Sequence, residues 1–297
     1  METHITKRAL AAHLAGERRQ GRTVGFVPTM GALHEGHVSL MRRARAENDV
    51  VVASIFVNPL QFGPTEDFTR YPRDLEGDAH RAAEAGVDLL FSPGVEEMYP
   101  AGTIATRVEL GPIGETGEGR WRPGFFSGVA TVCLKLFHVV PADRVYFGQK
   151  DAQQLAVIRR IVADLDIPVD VVGCPTVREP DGLALSSRNA YLDPQARRAA
   201  SAFPRALFAA RDAVAAGEGS AAGVRWVVEA HLEREPALRL QYVDVFDPVS
   251  FAPRERIEGR AILAGAAFVG GTRLIDNVEV ASQIGSHVPE QKEMAAG

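Results

Sequence analysis

The sequence predicts an α/β protein: a doubly wound parallel sheet over residues 1–178, followed by a smaller α+β C-terminal domain over 179–297. Three observations carry that reading. Apolar runs and amphipathic segments alternate through the first 175 residues, as strands joined by crossover helices do. One of those runs, VVVASIFV at Val50–Val57, is almost unbroken in its hydrophobicity, the pattern of a strand covered on both faces. Near Thr176 the alternation gives way to a turn-rich stretch, then to Ala-rich helices and further strands. A chain of 297 residues also exceeds one typical core and suits two.

Taken in order, METHITKRALAAHLAGERRQ reads as an amphipathic helix, TVGFVPT as a buried strand and HVSLMRRARAEN as the helix behind it. The Val50–Val57 strand leads into a loop rich in turn residues, then a helix through EGDAHRAAEAG and a strand at VDLLFSP. An irregular stretch around GPIGETGEGRWRPG precedes a helix at SGVATVCLKLFHVV, a strand at RVYFG, a helix at DAQQLAVIRRIVADL and a strand at PVDVVGCP. Past the connection REPDGLALSSRNAYLDP lie helices at QARRAASAFPRALFAARDAVAAG and GVRWVVEAHLERE. Strands follow at LRLQYVDVFD, RAILAGAAFVG and TRLIDNVEV, and the tail HVPEQKEMAAG is expected to be loose.

Composition removes several functions. With 46% hydrophobic residues the chain is neither disordered nor fibrous. A net charge of −5 with the signs interspersed argues against a dedicated nucleic-acid surface, yet allows a local basic pocket for phosphates. The two cysteines, Cys133 and Cys174, sit in apolar stretches and read as buried thiols of a reducing cytosol. The N-terminal segment lacks the uninterrupted apolar stretch of a signal peptide, and no run approaches the roughly 18 residues needed to span a bilayer. A soluble cytoplasmic protein is expected.

Three segments carry chemistry. PTMGALHEGH places His34 and His37 three residues apart where a strand ends and a helix begins, the position at which open α/β sheets bind ligands. Exposed N–H groups at a helix start favour phosphate, and Gly36 is expected to let a ligand approach the backbone. Eight histidines and 28 glycines placed at random produce H-x-G-H in only about 2 of 100 such chains, so the motif carries weight. Capping by surface histidines is the ordinary alternative. In FGQKDAQQL a second strand-to-helix junction offers Lys150 as a point charge for phosphate, with Asp151 either capping the helix or holding a nucleotide group or metal-bound water. In ALSSRN two hydroxyls and a guanidinium in a turn-rich loop suit a polyphosphate, though alone they read as an ordinary loop.

Together, a strand-end H-x-G-H and a distant Ser/Lys/Arg loop resemble the HIGH and KMSKS pair of the nucleotidyltransferase superfamily, which attacks the α-phosphorus of ATP and releases pyrophosphate. Within it, PTMGALHEGH, FVNPLQF, YPRD, FSGVATV, VYFGQKDAQQL, PTVREPDGLALSSRNAYL and RLIDN resemble the pantoate–β-alanine ligase family, in unbroken order from about residue 4 to 280. Two variations stand out: Gln149, where Glu is also familiar, puts no function in doubt, and Leu185, where Met is frequent, is expected to alter packing around the adenine more than chemistry.

The resemblance implies a Rossmann-like fold and an ATP site of Met30, Gly31, Ala32, Leu33, His34, Glu35, Gly36, His37, Gly148, Gln149, Lys150, Asp151, Val177, Leu185, Ser186, Ser187 and Arg188. It places pantoate between Gln61 and Gln154, whose amides both donate and accept, with Asn58 ordering the Gln61 loop. His34, His37, Lys150 and Arg188 take the catalytic roles, His37 as a candidate proton donor to pyrophosphate. The implied reaction joins (R)-pantoate to β-alanine through pantoyl adenylate, with Mg²⁺ bridging the phosphates of ATP and no direct protein ligand assigned to it. A homodimer, a C-terminal lid, and no nucleic-acid or membrane partner complete the expectation. The rivals are another enzyme of the superfamily, such as an aminoacyl-tRNA synthetase or a mononucleotide adenylyltransferase, and a nucleotide-binding regulator without turnover.

Overall fold

The apolar runs become a single parallel sheet. The structure is a computed structural model that describes residues 1–64, 66–100 and 104–282. Its strands β1 (Glu2–His4), β2 (Val24–Thr29), β3 (Val50–Ile55), β4 (Leu89–Phe91), β5 (Arg144–Gly148) and β6 (Asp170–Cys174) lie in the order β1-β4-β3-β2-β5-β6, every pair parallel. Alternation along β3 shows why its run is unbroken. Val50 and Val52 pack with Phe26, Val145 and the helices Lys7–Arg19 and Phe125–Val139, while Val51 and Ala53 pack with Met41 and Ala44 of the helix Glu35–Glu47 on the opposite face. Both cysteines are buried and unpaired in these layers.

The strand order fixes where a ligand can sit. From β2 the chain runs outward through β3 and β4 on one side and through β5 and β6 on the other. The crevice between the carboxyl ends of β2 and β5 is therefore the topological switch point, where doubly wound sheets bind ligands.

A second layer pair follows. Strands β7 (Leu238–Phe246), β8 (Arg260–Val269) and β9 (Thr272–Ala281) form an antiparallel sheet. Leu207, Val228, Val245 and Leu263 join it in one core to the helices Ala202–Ala215 and Ala221–Leu232. Phe246, Phe251 and Ala264 instead pack into the core of the parallel sheet, which holds β7 and β8 against the first layer.

Two sequence expectations are corrected. The N-terminal segment is not one helix: Glu2–His4 forms an edge strand against β4, and Thr6 accepts a hydrogen bond from the Ala9 N–H to start the helix at Lys7. Three residues are too few to show a two-residue period. The Ala-rich stretch is also two helices, Pro194–Ala200 and Ala202–Ala215, broken at Ser201 with Pro204 accommodated in the first turn of the second. The tail at 287–297 lies outside the described residues.

Candidate active site

The turn after β2 is built before any ligand arrives. Thr29 Oγ1 donates to the Ser54 carbonyl at 2.6 Å and accepts the Gly31 N–H at 3.2 Å. The Asp78 carboxylate, 1% exposed, accepts the N–H groups of Ala32 at 2.8 Å and Leu33 at 2.7 Å. Gly31 has φ +86°, and a Cβ there would meet Asp78 Oδ2 at 2.9 Å, so this position demands glycine twice over. Sequence reasoning missed Asp78. Its only signal is an acid on the same helical face as buried Ala82.

His34 and His37 do cap the helix, and that is how they are aimed. The Gly36 N–H donates to His34 Nδ1 at 3.1 Å, and the His34 N–H donates to His37 Nδ1 at 3.4 Å. With Nδ1 accepting on both rings, each neutral imidazole carries its proton on Nε2. The rings lie 4.2 Å apart between centroids. Burial, then Lys150, hold His34 down at a pKa of about 4, and burial, then His34 and Lys150, hold His37 at about 3. Burial favours the uncharged rings, which leaves two Nε2–H groups able to donate hydrogen bonds into the cleft. The expected purpose of Gly36 changes. A Cβ there would lie 2.7 Å from His34 Cε1, so the missing side chain makes room for the His34 ring.

The junction after β5 supplies the cation. Lys150 Nζ lies 3.5 Å from Asp151 Oδ1, and Asp151, at the start of helix Ala152–Asp164, makes no side-chain cap bond. Its carboxylate is left to face the cleft. The turn is held from the other sheet: Asn277 Nδ2 donates to the carbonyls of Gln149 at 3.0 Å and Lys150 at 2.8 Å. Asn277 is placed by its neighbour Asp276, which pairs with both terminal nitrogens of Arg178 at 2.7 and 2.9 Å. Arg178 also donates to the Asn277 carbonyl at 3.0 Å.

The Ser-Ser-Arg loop closes the outer side. The Leu185 N–H donates to the Val177 carbonyl at 3.0 Å, and Ser186 Oγ accepts the Arg188 N–H at 3.3 Å. Arg188 forks onto Asp67 at 3.0 and 3.2 Å, while Tyr71 and Ser187 meet at 3.5 Å. The loop before helix Leu75–Glu84 thus grips the loop carrying Arg188, and a polyphosphate must share or displace Asp67 to engage that guanidinium.

All three segments line one cleft of about 570 Å³, with Met30, His34, Gly36, His37, Gly148, Lys150, Asp151, Val177 and Leu185 to Arg188 on its walls. Gln61 and Gln154 line it as well. Among the described residues the Gln154 side chain finds no hydrogen-bond partner, whereas Gln61 Oε1 accepts from Asn58 Nδ2 at 3.0 Å. Asn58 is 1% exposed and is fixed by the Tyr99 hydroxyl at 2.7 Å, so it stands behind Gln61 and outside the cleft wall. Gly31, Ala32 and Leu33 shape the turn without lining the cleft, Glu35 pairs with Arg42 at the surface, and Gln149 contributes its carbonyl to Asn277.

The cleft has a further polar wall that sequence reasoning did not find. Arg273 forks onto Glu118 at 2.7 Å in both bonds, and the Tyr242 hydroxyl donates to Glu118 at 3.0 Å. These partners lie up to 155 residues apart, beyond any local pattern.

A family profile described as pantoate–β-alanine ligase matches residues 2–279. The chain is similar to the pantothenate synthetase of Moorella thermoacetica, 55% identical over 278 residues, covering 94% of this chain and 98% of the relative. It is similar to the crystal structure of pantothenate synthetase from Thermus thermophilus, with a TM-score of 0.87 and 54% identity over 95% of this chain and all of that one. A pantoate–β-alanine ligase from Francisella tularensis, complexed with β,γ-ATP and β-alanine, aligns at a TM-score of 0.78 and 35% identity over 94% of this chain and 97% of its own.

Proposed function

The chain belongs to the pantoate–β-alanine ligase family and so condenses pantoate with β-alanine in an ATP-dependent reaction of pantothenate biosynthesis, and we propose that its cleft does this through pantoyl adenylate. In the first step a carboxylate oxygen of (R)-pantoate attacks the α-phosphorus of ATP, the bond to the β-phosphate bridging oxygen breaks, and pyrophosphate leaves. In the second, the β-alanine amine attacks the acyl carbon, AMP departs with the bonding electron pair, and the amine proton is lost to solvent. The observation that carries this reading is the convergence of two neutral Nε2–H donors, Lys150 and the Ser-Ser-Arg loop on one cleft at the switch point of the sheet.

Each group then has a task. His34 and His37 donate to α-phosphate oxygens without needing a proton from solvent, and Lys150 offsets the charge that develops there. Ser186, Ser187 and Arg188 hold the β- and γ-phosphates, with Arg188 exchanging Asp67 for ATP. Gln61, oriented by Asn58, and the unengaged amide of Gln154 bind the pantoate hydroxyls and carboxylate. Mg²⁺ fits the donor chemistry of this wall: Asp151 is a hard oxygen donor with no cap bond to break, suited to hold a hydrated cation beside the phosphates. When bound, that ion neutralises phosphate charge.

We assign residues 1–178 to ATP and pantoate binding and residues 179–297 to a lid that carries the Ser-Ser-Arg loop and shields the adenylate from water. Among the described residues no helix is long and apolar enough to cross a membrane. A cytoplasmic homodimer joined through the larger domain is the assembly we favour. Exchange of labelled pyrophosphate into ATP tests the reading. It should proceed with pantoate and Mg²⁺ and without β-alanine, and a strict requirement for β-alanine would refute the two-step route.

A further inference from the structure

Three metal-binding side chains meet at the opposite edge of the parallel sheet, three strands away from β2. Glu2 and His4 are two residues apart on β1, which sets them on one face of the strand. His13 comes from the helix Lys7–Arg19, next to Leu14, whose burial fixes that helix against the sheet. His4 Nε2 lies 3.3 Å from His13 Nδ1 and 3.2 Å from Glu2 Oε1, and His13 Nδ1 lies 3.5 Å from Glu2 Oε2.

We propose that Glu2, His4 and His13 form a three-ligand site for a divalent transition metal of the zinc class. Donors bonded at about 2.0–2.1 Å in a tetrahedron are separated by about 3.3–3.4 Å. The two nitrogens already stand 3.3 Å apart, and the Glu2 carboxylate sets one oxygen near each of them, so a small turn of that exposed side chain brings one oxygen to both. Two imidazoles and one carboxylate favour zinc, nickel or copper over magnesium or calcium, which prefer oxygen alone. His4 is 8% exposed and Glu2 60% exposed, so the site is closed on the core side and open to a water molecule on the other. The outer nitrogen of His13 lies 3.7 Å from Glu17 Oε1, longer than a hydrogen bond but near enough for that carboxylate to turn toward a ligating imidazole. The ion would tie the short edge strand to the first helix. It has no part in the chemistry of the cleft.

The test uses the whole enzyme, freed of metal by chelation and then given Zn²⁺ at pH 7.5. Wild type should retain one equivalent after desalting and melt at a higher temperature than its metal-free form. His13→Gln, at a partly exposed position that folding tolerates, should lose that equivalent and the thermal shift while keeping wild-type turnover. Glu17→Gln should weaken Zn²⁺ by about tenfold. His34 and His37 are present in every variant, so the difference between wild type and His13→Gln reports on this cluster alone. Equal zinc retention in the two proteins, or none in wild type, would overturn the proposal and leave a hydrogen-bonded histidine pair.

Discussion

Replacing Gly36 by alanine separates the stability of this enzyme from its activity. A Cβ at residue 36 would stand 2.7 Å from His34 Cε1 and 2.8 Å from Nδ1, where ordinary contacts begin at 3.4 Å. The imidazole must move by some 0.7 Å, the gap between 2.7 and 3.4 Å, and its Nε2–H swings away from the α-phosphate. Misplacement of about 1 Å in a positioning group costs about 10²-fold in rate. The fold hardly notices. Losing the bond from the Gly36 N–H to His34 costs about 1 kcal/mol, and alanine in a helix returns about 1 kcal/mol over glycine. Pyrophosphate release dependent on pantoate should therefore fall about 10²-fold, mostly in kcat, while urea unfolding shows a stability close to wild type. A rate within about threefold of wild type would refute the placement of His34 at the reacting phosphate. A large loss of stability would show that the clash is relieved through the helix and not through the ring.

Other variants probe other walls. Arg188→Ala should slow single-turnover pyrophosphate release strongly and conversion of supplied pantoyl adenylate much less, because the adenylate no longer carries β- and γ-phosphates; equal slowing of both would assign Arg188 to loop closure. Gln61→Ala and Gln154→Ala should each weaken pantoate by roughly 1–3 kcal/mol while sparing ATP, and equal weakening of both substrates would mean the pantoate pocket is misplaced. His34 and His37 also predict a pH dependence. Their folded pKa values, about 4 and about 3, lie below the ordinary 6.5, so the unfolded chain takes up more protons as pH falls from about 6.5. The stability they confer is full above 6.5 and drains away as pH falls towards 4 and then 3. His37→Gln should flatten that slope in urea unfolding between pH 7 and 4.5, and an unchanged slope would contradict a buried neutral ring.

What could be read from the sequence was what is local. The ends of β2 and β5 are visible because an apolar run stops where histidine, glycine, lysine and aspartate begin, and the sheet class follows from runs such as Val50–Ile55. The side chains that position those ends were not legible. Asp78 reaches back 45 and 46 residues to the first turn, Asn277 reaches back 127 and 128 to the second, and Asp67 meets Arg188 across 121. No period or spacing encodes such pairs, since each looks like a solvated acid or amide until the sheet is assembled. The double duty of His34 and His37 was half visible: capping and phosphate binding read as alternatives, whereas Nδ1 does one and Nε2 is free for the other.

The bonds from Asn277 to the Gln149 and Lys150 carbonyls also bear on the order in which the enzyme is made. The side chains we place on ATP are all translated by Arg188, yet the turn bearing Lys150 is bonded by a strand translated about ninety residues later. A nascent chain that has not reached residue 277 is thus expected to hold this turn less firmly than the finished one. Asn277→Ala mimics the unfinished state in a full-length chain, and ATP affinity equal to wild type in that variant would show that the turn sets itself.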